Sequence, residues 1–228
     1  GKRIAVGGET SGEWVTTYVA AIAAGGVAIP MDRELEGEQI LAFLAFAEAD
    51  AIVFSTGMNH KLAPLCEAHP SVSVVIPITP DEDIPSESPR VLPFEALMEM
   101  GAAQEEKGYD YPEVTNPDRM AEMLFTSGTT GSSKCVMLSE RNIVSTVNSA
   151  AETVDFSEND RTVSVLPIHH TYELAIMITS LNYGMNVAIN DSLKRVLKNF
   201  ALFQPTGLIL VPLFVTTMHK KIWDVAKK

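Results

Sequence analysis

Residues 3–30 read RIAVGGETSGEWVTTYVAAIAAGGVAIP and contain one strand–helix–strand pattern. Two short runs rich in β-branched residues, 4–6 and 27–29, flank a longer segment whose apolar residues recur three and four positions apart. This alternation predicts a helix over 11–24 between two strands, and Pro30 closes the second strand. Such a unit is the building block of a parallel sheet that is covered by helices.

The same alternation continues along the rest of the chain and predicts a fold of the α/β class, with layered βαβ units around a mostly parallel sheet. Further helices are predicted over 37–47, 58–67, 139–153, 172–183 and 215–226, and further strands over 51–54, 72–78, 121–125, 136–138, 162–166, 186–189 and 207–211. A segment rich in proline and acidic residues, 79–118, is predicted to be a surface connection with one short helix over 94–101. The chain therefore divides into a first βα half (1–78), this connection and a second half (119–228).

Composition narrows the classes of function. The 228 residues carry 29 acidic and 17 basic side chains, a net charge of -12, which disfavours binding to nucleic acid or to an anionic membrane. The two cysteines, Cys66 and Cys135, form no CxxC pair, so we expect no zinc site and a reducing compartment such as the cytoplasm. The apolar stretch 15–29 is interrupted and shorter than the ~20 residues of a membrane span, so no transmembrane segment is expected.

The chemistry of the chain is concentrated in one loop. Residues 126–131 combine four hydroxyl side chains with two glycines, and only Ser132 and Ser133 separate them from Lys134. Glycine backbone N–H groups, hydroxyls and a lysine can together surround a phosphate. The Walker A pattern is not met, because Ser133 precedes the lysine and Cys135 follows it. A phosphate site of another kind and an ordinary surface loop are the two interpretations of these residues taken alone.

Residues 124–134, LFTSGTTGSSK, resemble the phosphate-binding signature of the adenylate-forming superfamily, which includes acyl-CoA synthetases, luciferases and peptide-synthetase adenylation domains. Two positions differ, since the family usually has proline at position 133 and glycine at position 135. Neither change removes a phosphate-contacting group. The resemblance implies an ATP phosphate site made by seven residues, which are Thr126, Ser127, Gly128, Thr129, Thr130, Gly131 and Lys134.

A second match lies about thirty residues farther on. Residues 166–173, LPIHHTYE, are similar to the Leu-Pro-x-x-His-x-x-Glu segment of the same superfamily, in the form typical of long-chain acyl-CoA synthetases. The resemblance implies that His170 is a catalytic group near the adenylate, and that Tyr172 and Glu173 belong with it to the acyl and adenylate pocket. An isolated histidine pair would instead be interpreted as hydrogen bonding at a strand end.

The resemblance extends over the whole chain, because 1–32 is similar to the opening segment of the family's nucleotide domain and 204–212 to the segment after the histidine motif. The 228 residues would then be part of the large N-terminal domain. The family's magnesium-binding glutamate, ribose-binding aspartate, hinge and C-terminal domain are not among them, so we expect no metal site in this chain and negligible ligase activity. Surfaces left exposed would favour a homo-oligomer.

The family's reaction implies an acid–thiol ligase, a long-chain fatty acid–CoA ligase, that uses ATP, Mg²⁺ and CoA. It would convert a fatty acid to an acyl-adenylate and then to acyl-CoA. Adenylation of another carboxylic acid remains open, as does a non-catalytic module that binds a nucleotide or an acyl group. A Ser-His-Asp hydrolase is disfavoured, because Ser127 lacks the Gly-x-Ser-x-Gly setting.

Overall fold

The computed structural model describes residues 1–110, 113, 115–126, 133–192 and 194–227. The chain divides into two units, Gly1–Ser145 and Thr146–Lys228. The boundaries expected from the sequence, at 78 and 118, differ from this division. The difference arises because strands after 118 pair with strands from the first 78 residues, so the connection over 79–118 lies within one unit.

Within the described residues, the first unit contains a six-stranded sheet. The strands are β1 (Arg3–Gly7), β2 (Val27–Met31), β3 (Ala51–Phe54), β4 (Val74–Pro77), β5 (Met120–Thr126) and β6 (Lys134–Ser139). Their order is β4-β3-β1-β2-β5-β6, in which β6 is antiparallel to β5 and all other neighbours are parallel. The prediction of an α/β fold with a mostly parallel sheet is confirmed.

The helices of this part of the chain differ in how they begin. They are α1 (Gly12–Ala23), α2 (Gly37–Phe46), α3 (Asn59–Leu62), α4 (Phe94–Glu105) and α5 (Glu140–Thr153). The Ser11 hydroxyl caps α1 by accepting a bond of 3.1 Å from the Trp14 backbone N–H, whereas among the described residues α3 and α4 have no side-chain cap. The helix predicted over 58–67 is shorter than expected, because Pro64 follows α3 and favours a 3₁₀ turn there.

Helices cover both faces of the first sheet. Every residue of β2 and β3 is buried, which is typical of parallel strands with helices on either side. The main core cluster joins the sheet to α2 and α3 through residues such as Ile29, Ile52, Leu44 and Leu62. Trp14 and Tyr18 of α1 are also buried, with ring centroids 5.8 Å apart. The sheet is therefore a rigid base for the loops at its edges.

The second unit contains a short parallel pair, β7 (Arg161–Ser164) and β8 (Asn186–Ile189), with α6 (Thr171–Asn182), α7 (Val196–Phe203) and α8 (Pro212–Ala226). Val163, Val165, Ala188 and Val196 form its core. The strand predicted over 207–211 does not form, although Leu208 and Leu210 pack against the core. Only the first residues of that segment bond to β7, through the Arg161 carbonyl, and the chain then turns into α8.

The parallel strands β1, β2, β3 and β5 all end at one edge of the first sheet. Loops that follow the carboxyl ends of such strands are the usual place for ligand binding in open α/β sheets. Thr126, the residue at which β5 ends and the signature loop begins, lies at this edge. No helix within the described residues is long and apolar enough to cross a membrane.

Candidate functional site

The signature loop connects two paired strands. In the β5–β6 hairpin, Thr126 lies opposite Lys134 and Phe125 opposite Cys135. Residues directly opposite in an antiparallel pair have Cβ atoms about 5 Å apart on the same face, so the Thr126 and Lys134 side chains flank the mouth of the loop together. Both residues are exposed. A hydroxyl and an ammonium group are thereby available at the two ends of the loop.

The rest of the predicted phosphate site, Ser127, Gly128, Thr129, Thr130 and Gly131, lies outside the described residues. Their assignment therefore stays a prediction. The described part of the site consists of the loop's two ends, Thr126 and Lys134, and of the strands that hold them.

Aromatic packing fixes the loop end of the hairpin. The ring of Phe125, next to Thr126, stacks on Phe43 of α2 with centroids 4.2 Å apart and planes 2° apart. Phe46 meets the same ring edge-on at 6.0 Å. Stacked and edge-to-face rings contribute about 1 kcal/mol beyond their buried area. This packing holds the end of β5 against α2.

Charged side chains fix the other end of the hairpin. Arg119, just before β5, donates to the carbonyl oxygens of Gly26 at 2.8 Å and Ile22 at 2.6 Å, and it forms an ion pair with Glu140 at 3.0 Å. Arg141 forms a two-pronged ion pair with Asp118, with distances of 2.6 and 3.1 Å. These two bonds tie the start of β5 to the last turn of α1, at Ile22, and to the turn before β2, at Gly26. The hairpin is thus held at its base as well as at its loop end.

A buried carboxylate lies inside β5, four residues before Thr126. Glu122 is only 1% exposed, and burial raises its pKa to about 7, an effect that its contact with Tyr18 partly offsets. That contact falls short of a regular hydrogen bond, since the Tyr18 hydroxyl and Oε1 of Glu122 are both buried without a standard partner among the described residues. The pKa of Tyr18 is raised in turn, by burial first and by Glu122 second. The sequence analysis missed this group, although an acidic residue inside the apolar run 120–125 signals it.

The histidine motif forms the turn between β7 and α6. The His170 N–H bonds to the Pro167 carbonyl at 3.1 Å, and His170 is the N-cap residue of α6. Its ring lies beside that of His169, with centroids 4.3 Å apart. His170 and Tyr172 are exposed, the latter to 52%, and are therefore open to a ligand.

Glu173 is placed differently from its two predicted neighbours. It is 3% exposed, and its carboxylate accepts a hydrogen bond from the Ser164 hydroxyl. Burial raises the pKa of Glu173, and the Ser164 bond together with contacts to the backbone N–H groups of Leu166 and Val165 opposes the rise. A space of only about 10 Å³, room for one water at most, lies beside it. Its part in the acyl pocket therefore stays a prediction without a direct contact to support it.

The second unit also contains an apolar cavity of about 360 Å³, a volume in the range of small-molecule pockets. Its walls are almost entirely apolar and are formed by Val165, Leu166, Pro167, Val196, Leu197, Val211, Leu213, Phe214, Thr217 and Met218. Leu166 and Pro167 belong to the histidine motif, whereas His170, Tyr172 and Glu173 do not line the cavity. The sequence did not indicate this cavity, because its walls come from three separate segments.

Residues 1–227 match the family model described as AMP-binding enzyme. The chain belongs to this family. It is 26% identical to long chain acyl-CoA synthetase 6, peroxisomal, of Arabidopsis thaliana, over 94% of this chain and 31% of that protein. It is 25% identical to long-chain-fatty-acid–CoA ligase 1 of Homo sapiens, over 94% of this chain and 32% of that protein. The chain thus spans about a third of the length of these curated relatives.

Solved structures agree with this AMP-binding fold. The inhibitor-bound N-terminal domain of FACL13 from Mycobacterium tuberculosis superposes with a TM-score of 0.74 and 21% identity, over 96% of this chain and 52% of that one. ATP-bound MatB from Rhodopseudomonas palustris gives a TM-score of 0.73 and 25% identity, over 95% of this chain and 40% of that one. The family resemblance inferred from residues 124–134 and 166–173 is confirmed by these matches.

Proposed function

We propose that this chain supplies the ATP phosphate site and the acid pocket of a ligase that joins a long-chain fatty acid to CoA. The observation that carries the proposal is the β5–β6 hairpin, in which Thr126 and Lys134 flank the signature loop. Membership of the AMP-binding enzyme family supports the use of ATP. The relatives named as long-chain synthetases and ligases support the choice of acid.

The apolar cavity also supports a long-chain acid. Its walls are apolar apart from the hydroxyl of Thr217, and they carry no charged side chain. An alkyl chain gains about 0.8 kcal/mol for each methylene group that it buries, whereas a charged amino-acid side chain would need a partner there. The cavity therefore favours a fatty acid over an amino acid with a charged side chain.

The proposed reaction has two steps. In the first, a carboxylate oxygen of the fatty acid attacks the α-phosphorus of ATP, the bond to the bridging oxygen breaks, and pyrophosphate leaves. In the second, the sulfur of CoA attacks the acyl carbon, loses its proton and displaces AMP. Lys134 would neutralise phosphate charge at the mouth of the loop, and His170 would lie near the adenylate.

Magnesium fits the phosphates of such a reaction but has no ligand set in the described residues. Within them, no group of three or more His, Cys, Asp or Glu side chains is arranged to hold a metal ion. Mg²⁺ commonly binds through substrate phosphates and one or two carboxylates. Thr126, with its exposed hydroxyl, is the described residue nearest in sequence to where such an ion would meet the loop.

The test is ATP–pyrophosphate exchange by the full-length protein, with palmitate, shorter acids and amino acids compared as substrates. Lys134→Ala removes the cation at the loop, and Lys107→Ala removes an equally exposed cation outside it. We expect palmitate-dependent exchange that falls about 10²-fold in the first variant and stays unchanged in the second.

Each alternative outcome points to a different function. Exchange that requires a short acid or an amino acid would reassign the substrate. Nucleotide binding without exchange, for every acid, would replace the ligase with a non-catalytic binding module. Equal losses of exchange activity in Lys134→Ala and Lys107→Ala would mean that Lys134 is not part of the phosphate site.

A further inference from the structure

Glu173 is bonded to a segment that lines the apolar cavity, but it does not line the cavity itself. It is the third residue of α6, where a glutamate often bonds back to the N-cap residue of its own helix. Here the carboxylate instead accepts a hydrogen bond from the hydroxyl of Ser164, the last residue of β7, and contacts the N–H groups of the next two residues, Val165 and Leu166. The helix and the strand are thereby joined by one buried side chain.

These bonds fix a segment that has the cavity on its other side. Val165, Leu166 and Pro167 line the apolar cavity. They directly follow Ser164, which donates to Glu173, and the N–H groups of Val165 and Leu166 contact the same carboxylate. Glu173 itself does not line the cavity and is almost fully buried. A single stretch of backbone therefore separates the carboxylate from the space that a ligand would fill.

Buried polar side chains surround the carboxylate of Glu173. Ser164, Thr162 and Ser180 line the small space beside it, and all three are buried. A buried donor that loses its acceptor costs free energy. A displacement of the Glu173 carboxylate should therefore also displace the 165–167 segment. The same segment continues to His170, the N-cap residue of α6.

We propose that Glu173 is a positioning residue, which sets the 165–167 wall of the acid pocket and so determines affinity for the fatty acid without touching it. The inference rests on the proposed function, because it takes the cavity to be the site of the acyl chain. It adds to that function a residue that selects the acid. A purely structural buried carboxylate would affect folding but would not distinguish the acid from ATP.

The test uses the full-length protein and three variants. Glu173→Gln keeps the size and shape of the side chain. It replaces one carboxylate oxygen, which accepts hydrogen bonds, with an NH2 group, which can only donate them. Ser164→Ala removes one of the three donors and leaves the two backbone bonds, and Glu152→Gln makes the same chemical change on an exposed face of α5. Near-ultraviolet circular dichroism establishes that each variant is folded.

The first readout is direct binding of cis-parinaric acid, a fluorescent long-chain acid, without ATP. We expect the dissociation constant to rise about tenfold in Glu173→Gln, about threefold in Ser164→Ala and not at all in Glu152→Gln. The second readout is the KM for palmitate and for ATP in pyrophosphate exchange. The KM for palmitate should rise with the dissociation constant, while the KM for ATP changes less than about twofold.

Two results would overturn the inference while leaving the proposed function intact. One is an unchanged affinity for the fluorescent acid in both Glu173→Gln and Ser164→Ala. The other is an equal rise of both KM values, which would mean a general structural role. If Glu173→Gln does not fold, Ser164→Ala alone decides between these outcomes. Failure of the unaltered protein to bind the acid or to catalyse exchange would instead refute the proposed function, and this inference with it.

Discussion

The two segments that carry the family motifs are held by different forces. The hairpin around the signature loop is fixed near the loop by stacked rings, Phe125 on Phe43, and among the described residues Oε1 of its buried Glu122 has no regular hydrogen-bond partner. The 165–170 segment is instead held through Glu173, which accepts a hydrogen bond from Ser164 and contacts the N–H groups of Val165 and Leu166. Apolar packing therefore holds the hairpin, whereas a hydrogen-bonded carboxylate holds the 165–170 segment.

The contrast shows that burial alone does not define the role of a carboxylate. Burial raises the pKa of both glutamates, but Glu173 has a hydrogen bond from Ser164 and two backbone N–H contacts to oppose the rise, whereas Glu122, within the described residues, has its contact with Tyr18. A buried carboxylate without donors carries a cost when it ionises, and one with donors stabilises the backbone around it. Removing the charge should therefore have opposite effects at the two positions.

The largest effect is expected from Glu173→Ala. The substitution leaves the buried Ser164 hydroxyl without its acceptor, removes the carboxylate contact of the Val165 and Leu166 N–H groups, and leaves a cavity, so we expect the free energy of unfolding to fall by about 4 kcal/mol. Urea unfolding at pH 7 measures the loss, and faster hydrogen exchange at the amides of Val165 and Leu166 would locate it. Glu152→Ala, on an exposed face of α5, should change the value by less than about 0.5 kcal/mol. A loss no larger than that of the control would remove the distinction between the two glutamates.

Glu122→Gln should act in the opposite direction. The folded-state pKa of about 7 lies above the unfolded value of 4.5, so the stabilising contribution of Glu122 is fully present below pH 4.5 and is lost as the pH rises through about 7. The variant cannot ionise at this position. Its free energy of unfolding, relative to the unaltered protein, should therefore rise by about 3 kcal/mol between pH 4.5 and pH 8.

Urea unfolding at both pH values checks this prediction, with Glu38→Gln as the exposed control. The control should show the same pH dependence as the unaltered protein. A Glu122→Gln variant that follows the same curve as the control would mean that Glu122 is satisfied as fully as Glu173, and the comparison would fail.

Phe43→Ala tests the claim that packing holds the hairpin. The half-buried Phe43 ring lies flat on Phe125, so its loss should reduce the free energy of unfolding by about 2 kcal/mol. Phe46→Ala is the matched control, because Phe46 is 69% exposed and meets Phe125 only edge-on. Urea unfolding should show a loss of less than about 1 kcal/mol for the control. Equal losses would mean that the stacked ring has no special part in fixing the loop.

The smallest effect is expected from Ser164→Ala. Glu173 keeps its two backbone donors, so the free energy of unfolding should fall by only about 1 kcal/mol. The missing bond favoured the ionised form, so the pKa of Glu173 should also rise further. Urea unfolding at pH 5 and pH 8 measures both effects, and Ser149→Ala on the exposed side of α5 is the control. If Ser164→Ala lowers the free energy of unfolding as much as Glu173→Ala does, the hydroxyl bond accounts for the stabilisation and the backbone contacts do not.

Much of the fold could be predicted from local sequence. The strands over 51–54 and 186–189 were predicted with the bounds they have in the structure, and the signature of the AMP-binding family could be recognised from residues 124–134. Apolar periodicity and capping residues such as Ser11 act over a few positions, so they can be identified along the chain. The strand predicted over 207–211 was wrong, because pairing with a neighbour, which local sequence does not specify, is what makes an extended segment a strand.

The sequence by itself determined the family and the α/β architecture, and it predicts the residues of the phosphate loop. Only the tertiary structure decided that Glu122 is a carboxylate with a pKa of about 7, that Glu173 is buried behind the 165–167 wall, and that an apolar cavity lies beside that wall. The reason is that the protonation of a carboxylate depends on the dielectric and the donors around it. In this protein those surroundings come from residues far apart in the chain, such as Tyr18 for Glu122, so no local pattern records them.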